Sequence, residues 1–416
     1  MTIGLDPVAS ALRRDPAPAL AVLGGPPAFA EPLHVGRPNV GDRARLLERI
    51  DGAIDRRWLS NGGPLVAEFE ERVAAIAGTR HAIAVCNATA GLELVVRALG
   101  VTGEVVMPAF TFVAGAHAMQ WQHVTPVFCD VDPRTHNLDP ARVDAAIGPR
   151  TSAIVPVHVW GRPCDVTALA DIARRHELHL FYDAAHAFGC TALGRPIGAF
   201  GDASVFSFHA TKFVNAGEGG MVVTDDDALA GRLRRMRSFG FADYDEVVAL
   251  GINAKMAELP AAMGLTSLDA MDDIVATNRR NHVAYGRHLA GLPGIELVPY
   301  DDHADRCNYQ YVVLEVDAEA AGLSRDELLQ VLHAERVLAR RYFYPGVHRM
   351  EPYRTLQPEA WRSLPHTERL TGRVLSLPTG TAMSERTVAR VCDLVHRALA
   401  RAPEVRRRLR AAARGD

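Results

Sequence analysis

Short apolar runs without polar alternation recur through the first half of the chain: His81 to Cys86, Glu104 to Met107, Pro126 to Cys129, Ser152 to Val157, Leu178 to Tyr182, Ala203 to Phe208 and Gly220 to Val223. Runs of this kind suit strands covered on both faces by helices, and helical patterns do lie between them, so they predict a mainly parallel sheet. Ahead of the first run, Gly41 to Arg57 predicts a helix. Pro64 to Ala77 predicts another, with proline at its first position, Leu65, Phe69, Val73 and Ile76 on one face and Gly78 as its stop. A weakly periodic helical region, Met256 to Leu289, leads into a second unit: strand Gln310 to Val316, helix Ser324 to Glu335, strand Val337 to Phe343 and helix Ser384 to Arg401.

The predicted fold class is α/β, organised as an N-terminal arm over residues 1–35, a large domain over 36–275 with a mainly parallel central sheet, a smaller C-terminal α+β domain over 276–402, and a basic tail over 403–416. The arm is expected on the surface because it is rich in Pro, Gly and Ala without periodicity. Residues 401–416 carry six arginines and are expected to be solvated.

Composition narrows the function classes. With 48% hydrophobic and 23% charged residues and a net charge of -3, the chain offers no electrostatic ground for nucleic acid or a membrane surface. No apolar run approaches the roughly 20 residues needed to cross a bilayer. Cys86, Cys129, Cys164, Cys190, Cys307 and Cys392 are scattered without Cys-x-x-Cys spacing, which indicates reduced thiols, no metal site and a cytoplasmic location.

The basic residues are more telling. Of 46 Lys and Arg, only Lys212 and Lys255 are lysine. Arginine stays protonated, whereas a lysine amine made neutral by its surroundings attacks carbonyls. Lys212 closes the apolar run that begins at Ala203, so either its amine reacts or it survived a compositional bias. Lys255 precedes a long helix and reads as a surface or interface cation.

A second feature stands beside Lys212. The apolar run Leu178 to Tyr182 ends in Asp183, and a carboxylate at a buried strand end needs a partner, or else it takes up a proton. A helix cap or a structural ion pair would also explain it. Both Asp183 and Lys212 end candidate strands and can face one crevice, an arrangement that suits pyridoxal phosphate (PLP), with the acid on the ring nitrogen and the amine on the aldehyde. Val85 to Gly91 places small and polar residues between a strand and an apolar helix, where backbone amides can hold the phosphate, although tight packing is the other reading. Ser207 is a second phosphate candidate. An aromatic ring of Pro108-Ala-Phe110-Thr-Phe112 can stack on the cofactor, and His186 can lie against it.

Together, Leu59-Ser-Asn-Gly-Gly-Pro64-Leu-Val, Asn87-Ala-Thr-Ala-Gly91, Pro108-Ala-Phe-Thr-Phe112, Tyr182-Asp-Ala-Ala-His186, Ser207-Phe-His-Ala-Thr-Lys212 and Lys255-Met-Ala-Glu258 resemble the DegT/DnrJ/EryC1/StrS family of PLP-dependent sugar aminotransferases, which have the type I aspartate aminotransferase fold. The resemblance implies that Lys212 bonds the cofactor's aldehyde and Asp183 holds its pyridinium. It also makes Phe112 the stacking ring, Thr89, Ala90 and Ser207 the phosphate ligands, and His186 the neighbour of the ring, where many relatives have Gln. It implies a homodimer with shared active sites, in which the Asn253 segment reaches the partner's cofactor. Gly62, Gly63, Tyr344 and His348 match regions that line the sugar pocket.

A branch of the family carries histidine in place of the lysine and dehydrates instead, and Lys212 argues against that branch. The implied reaction is ping-pong. L-glutamate leaves as 2-oxoglutarate, pyridoxamine phosphate (PMP) is formed, and the keto carbon of a nucleotide sugar is then aminated. The expected substrate is dTDP-4-keto-6-deoxy-D-glucose, aminated at C4 for an amino sugar of secondary metabolism such as an antibiotic. Amination at C3 or of an inosose shares the same motifs, and a non-catalytic regulatory relative is the alternative of another class.

Overall fold

The computed structural model describes residues 19–301, 303 and 305–414. Residues 1–18 of the expected arm and 415–416 of the expected tail lie outside them.

Helix α1 (Arg43–Arg56) begins at Arg43 rather than Gly41 because Asp42 is its cap, accepting from the amides of Ala44 and Arg45. α2 (Pro64–Ala77) starts at its proline, buries Leu65, Val66, Phe69 and Val73, and ends at Gly78 with φ +67. The alternating region then follows: β1 (His81–Val85), α3 (Ala88–Leu99), β2 (Glu104–Pro108), α4 (Ala114–Trp121), β3 (Thr125–Cys129), β4 (Thr151–Ile154), α5 (Val166–Arg175), β5 (His179–Asp183), β6 (Ala203–Ser207), β7 (Gly220–Thr224) and α6 (Asp227–Met236).

All seven strands form one sheet in the order β1-β7-β6-β5-β4-β2-β3. β7 runs antiparallel to both neighbours, and the other pairs are parallel. Alternation within the strands explains why each run is apolar throughout. Ala82 and Ala84 of β1 join the core that holds α2 and α5, while Ile83 and Val85 join the core that holds α3, α4 and α6.

This topology creates the site. Carboxyl ends of the parallel strands gather on one side, and because β7 is reversed, its first residue lies between two of them. Gly220 is in register with both Val85 and Ser207, and Asp183 pairs with Val205 one strand further on. The loops after β1, β5 and β6 therefore meet around one crevice.

The predicted helical region is two helices, α7 (Glu258–Asp269) and α8 (Met271–Leu289), broken at Ala270. α8 spans the two domains: Met271 and Ile274 pack in the large-domain core, and Ala284, Tyr285 and Leu289 pack in the small-domain core. The small domain holds β8 (Ile295–Leu297), β9 (Val312–Val316), α9 (Arg325–Ala334), α10 (Pro365–Arg373), β10 (Val374–Leu377), α11 (Glu385–Ala400) and α12 (Ala402–Arg414). Its three strands form an antiparallel sheet in the order β8-β9-β10.

Three expectations need correction. The described part of the arm, expected on the surface, is partly sunk into it, since Leu20 and Phe29 are buried in the small-domain core and the amides of Ala21 and Ala28 both donate to the Glu335 carboxylate at 2.7 Å. The described part of the basic tail is helical. Val405 is fully buried and Leu409, four residues on, packs against the same core, so the arginines merely line the other faces of α12. Finally, the strand expected over Val337 to Phe343 is shorter: Val337 and Leu338 pair with Leu33 and His34, and beyond them Arg340 makes a single antiparallel bridge to Ser376. Its aromatic end leaves the ladder, and the Phe343 ring stacks 5.2 Å from that of Trp160.

Candidate active site

The loop after β5 takes its shape from a carboxylate. Asp183 is 8% exposed. Its amide donates to the Pro156 carbonyl at 3.0 Å, its carbonyl accepts from His158 at 3.2 Å, and its Oδ1 accepts from the amide of Ala185 at 3.0 Å. Oδ2 makes no hydrogen bond among the described residues. Burial pushes this carboxyl above the usual range, and the Ala185 amide and the Lys212 cation pull it partly back. A buried acid with one oxygen unused and only partial compensation fits a protonated ring nitrogen as its missing partner.

Lys212 follows β6 in a turn where its amide donates to the His209 carbonyl at 2.8 Å. Its Nζ donates to the Tyr311 hydroxyl at 3.3 Å. Burial lowers the amine from 10.5 to about 8, while Asp183 and Tyr342 act in the opposite sense. Roughly one amine in ten is therefore neutral and nucleophilic at pH 7.

The turn after β1 builds the start of α3. Asn87 caps the helix, its Oδ1 accepting from the Ala90 amide at 2.9 Å. Gly220 of β7 presses against this turn so closely that a Cβ there would come within 2.6 Å of the Ala88 nitrogen. Of the two expected phosphate donors on the turn, Ala90 has its amide committed to the cap, whereas the amide of half-buried Thr89, like that of Ala88, is unengaged among the described residues. Ser207 is buried beside this turn and its Oγ accepts from His209 at 3.4 Å. Free amides at a helix start, a hydroxyl and a glycine cleared of side chain together fit a phosphate.

His186 is buried. Its Nδ1 accepts from the Trp160 amide at 3.3 Å, which leaves the proton on Nε2, and burial holds it well below its ordinary pKa, so the ring is neutral. Trp160 and Phe343 lie nearly parallel to it, at interplanar angles of 13° and 8°. The two phenylalanines after β2 divide their roles: Phe110 is 0% exposed and packs on Phe343 and Trp160, and Phe112 is 59% exposed, open to cover a ligand.

The remaining predicted residues are not drawn to Lys212. Gly63 is the cap position of α2, where a Cβ would sit 2.5 Å from Glu258, and Gly62 beside it is exposed with φ +71. Glu258 explains this crowding, because its buried carboxylate takes the free amides of Leu65 and Val66 at 3.0 and 2.9 Å. The Tyr344 ring lies beneath the Arg341 guanidinium at 4.1 Å, and His348 is buried against Glu368. Asn253 is exposed and accepts from Lys255, whose ammonium lies 4.6 Å over the Phe239 ring.

Tyr311, Tyr342, Trp160 and Phe343 belong to the site and sequence reasoning missed them. Only the aromatic spacing of Tyr342-Phe-Tyr344 gave a signal, and it was read for Tyr344 in a sugar pocket, not for the rings around Lys212.

Residues 41–396 match the DegT/DnrJ/EryC1/StrS aminotransferase family. The chain is 33% identical over 365 residues to the dTDP-4-amino-4,6-dideoxy-D-glucose transaminase of Escherichia coli, covering 87% of this chain and 98% of that one. It is 35% identical over 355 residues to the GDP-perosamine synthase of Caulobacter vibrioides, covering 82% and 94%. Among solved structures it is similar to DesI, crystallised in the presence of its TDP-sugar product, at 57% identity and a TM-score of 0.90, covering 94% of this chain and 99% of that chain. It is also similar to DesV of S. venezuelae at 34% identity and a TM-score of 0.80, covering 86% and 95%. The chain belongs to the DegT/DnrJ/EryC1/StrS aminotransferase family and is a PLP-dependent enzyme.

Proposed function

We propose that this enzyme transfers an amino group from L-glutamate to C4 of dTDP-4-keto-6-deoxy-D-glucose, within amino-sugar biosynthesis for a secondary metabolite such as an antibiotic. The observation that carries the aminotransferase chemistry is a single amine lowered to about 8 by burial, beside an acid with a free oxygen. Bound in the crevice, PLP would supply an electron sink for the charge left when a proton departs the substrate carbon. Asp183 would keep the ring nitrogen protonated, Thr89, Ser207 and the start of α3 would hold the phosphate, and Phe112 and His186 would bracket the ring. Lys212 would carry the proton between the two carbons as general base and then acid. The choice of nucleotide and carbon is supported by the 57% identity to DesI and by the name of the E. coli relative.

The test is a panel of dTDP-4-keto, dTDP-3-keto and GDP-4-keto sugars and an inosose, each with glutamate, with the aminated carbon located by NMR. Turnover of the dTDP-4-keto sugar at least tenfold above the others in kcat/KM is expected, a discrimination worth about 1.4 kcal/mol. Preference for any other member of the panel overturns the substrate assignment.

The same reading makes the enzyme a cytoplasmic homodimer with shared active sites. The cysteines form no disulfide among the described residues, which suits a reducing compartment. The hairpin after α6 exposes Phe239, Phe241, Leu250 and Ile252, and Tyr244 at its tip is 92% exposed, an apolar surface that a second copy would cover. Asn253 closes that hairpin next to the phosphate turn, where the Cys86 amide donates to Ala254 at 2.7 Å. Light scattering is expected to give twice the 45.1 kDa of one chain, and a monomer at micromolar concentration would overturn the shared-site arrangement.

A further inference from the structure

Four titratable side chains face the Lys212 amine: Asp183 from the end of β5, His186 from the loop beyond it, Tyr342 from the segment after Val337–Leu338, and Tyr311 from the entrance to β9. Asp183 attracts the amine, His186 is neutral, and burial keeps the Tyr342 hydroxyl protonated. Only Tyr311 has a polar atom within hydrogen-bond distance of Nζ.

The segment carrying Tyr311 is tied to both loops that hold the chemistry. Asn308 Nδ2 donates to the His186 carbonyl at 2.8 Å, and Asn308 Oδ1 accepts from the Gln310 amide at 3.0 Å. Gln310 Oε1 in turn accepts from the amide of Phe213, the residue after Lys212, at 3.0 Å. The Tyr311 amide donates to the Tyr300 hydroxyl at 3.4 Å, and that hydroxyl lies 2.9 Å from the Trp160 carbonyl. The ring itself is wedged between Trp160 and His186, with centroids 5.3 and 4.8 Å away. Few rotamers remain open to a phenol held in this way, so its oxygen is a fixed point, whereas the lysine is a flexible chain.

We propose that Tyr311 is a positioning residue that receives the Lys212 amine whenever it is not bonded to the cofactor, holding it where it can next move a proton or re-form that bond. The inference rests on Lys212 being the reactive amine. Burial raises the phenol above its ordinary value, so it stays protonated and offers its lone pairs to the amine. Accepting a hydrogen bond favours the charged form of the amine, so loss of the acceptor lowers the amine's pKa.

Because the chain contains only two lysines, the test is direct. Enzyme loaded with pyridoxamine phosphate, in which Lys212 carries no bond, is treated with acetic anhydride across a pH series, and acetylation of residues 212 and 255 is followed by peptide mapping. Tyr311→Phe keeps the ring and removes the acceptor. The labelling midpoint of Lys212 is expected to fall by about one pH unit, Lys255 labels as in wild type, and kcat falls roughly tenfold with little change in KM. An unchanged or raised midpoint overturns the proposal whatever happens to activity. Borohydride reduction of PLP-loaded enzyme separates this from failure of the underlying reading: residue 212 modified in both wild type and variant leaves the reading intact, and residue 212 unmodified in wild type removes both.

Discussion

Lys212→Ala lowers turnover by on the order of 10² to 10⁴-fold, the range attached to a positioned general acid-base group, and borohydride no longer fixes the cofactor to the protein. The loss is large because nothing else in the chain can take over. The only other lysine sits over the Phe239 ring with its Nζ bonded to Asn253 at 2.7 Å. Lys212→Arg is expected to fail equally, since a guanidinium keeps the charge but cannot be deprotonated to attack a carbonyl. Equal failure of the two variants shows that the site needs an amine and not a cation. An amine at its ordinary 10.5 would be neutral in roughly one molecule in 3,000 at pH 7, against about one in ten at the value burial gives it. The measurement is kcat with peptide mapping after reduction, and full turnover in the alanine variant would remove Lys212 from the chemistry.

What could be read before folding follows a simple division. Strands buried on both faces write themselves as unbroken apolar runs, so the sheet's position was legible, as were the residues at its ends. Asp183 stands out because a charge terminates an apolar run, and Lys212 because lysine is otherwise nearly absent. The cap at Asn87 was passed over in favour of a phosphate turn, although an Asn just before an apolar helix is a usual cap, and that cap assigns the Ala90 amide to the protein.

Tyr311 was hidden for a physical reason. At the head of an apolar strand a tyrosine reads as core, and its meeting with Lys212 depends on how the small domain packs, which no local pattern contains. Tyr342 and Phe343 were misread because alternating large side chains look the same whether they line a sheet or fill a crevice between domains. In α12 the arginines dominate composition, yet two apolar residues four apart, Val405 and Leu409, decide where the helix lies. Glu258 belongs to a recognised motif, but its task of capping α2 shows only once the two helices are in contact.

Asp183→Asn separates the acid's function from its cost. The amide preserves shape and still accepts from Ala185, so PLP should still bond Lys212 and residue 212 should still be modified by borohydride. A neutral amide cannot hold a proton on the ring nitrogen, and loss of a preorganised charge of this kind is expected to lower kcat by on the order of 10³-fold. Stability moves the other way. The folded carboxyl has its pKa raised above 3.8 by burial, so the unfolded state ionises more readily and the ionised acid weakens the fold at every pH above that raised value. Removing it is therefore expected to raise the melting temperature of the cofactor-free protein at neutral pH, the pattern of a residue kept for chemistry at the expense of stability. If the cofactor-free Asn variant instead melts lower and retains full turnover, Asp183 is a structural ion-pair partner of Lys212 and the ring nitrogen must find its counter-charge elsewhere.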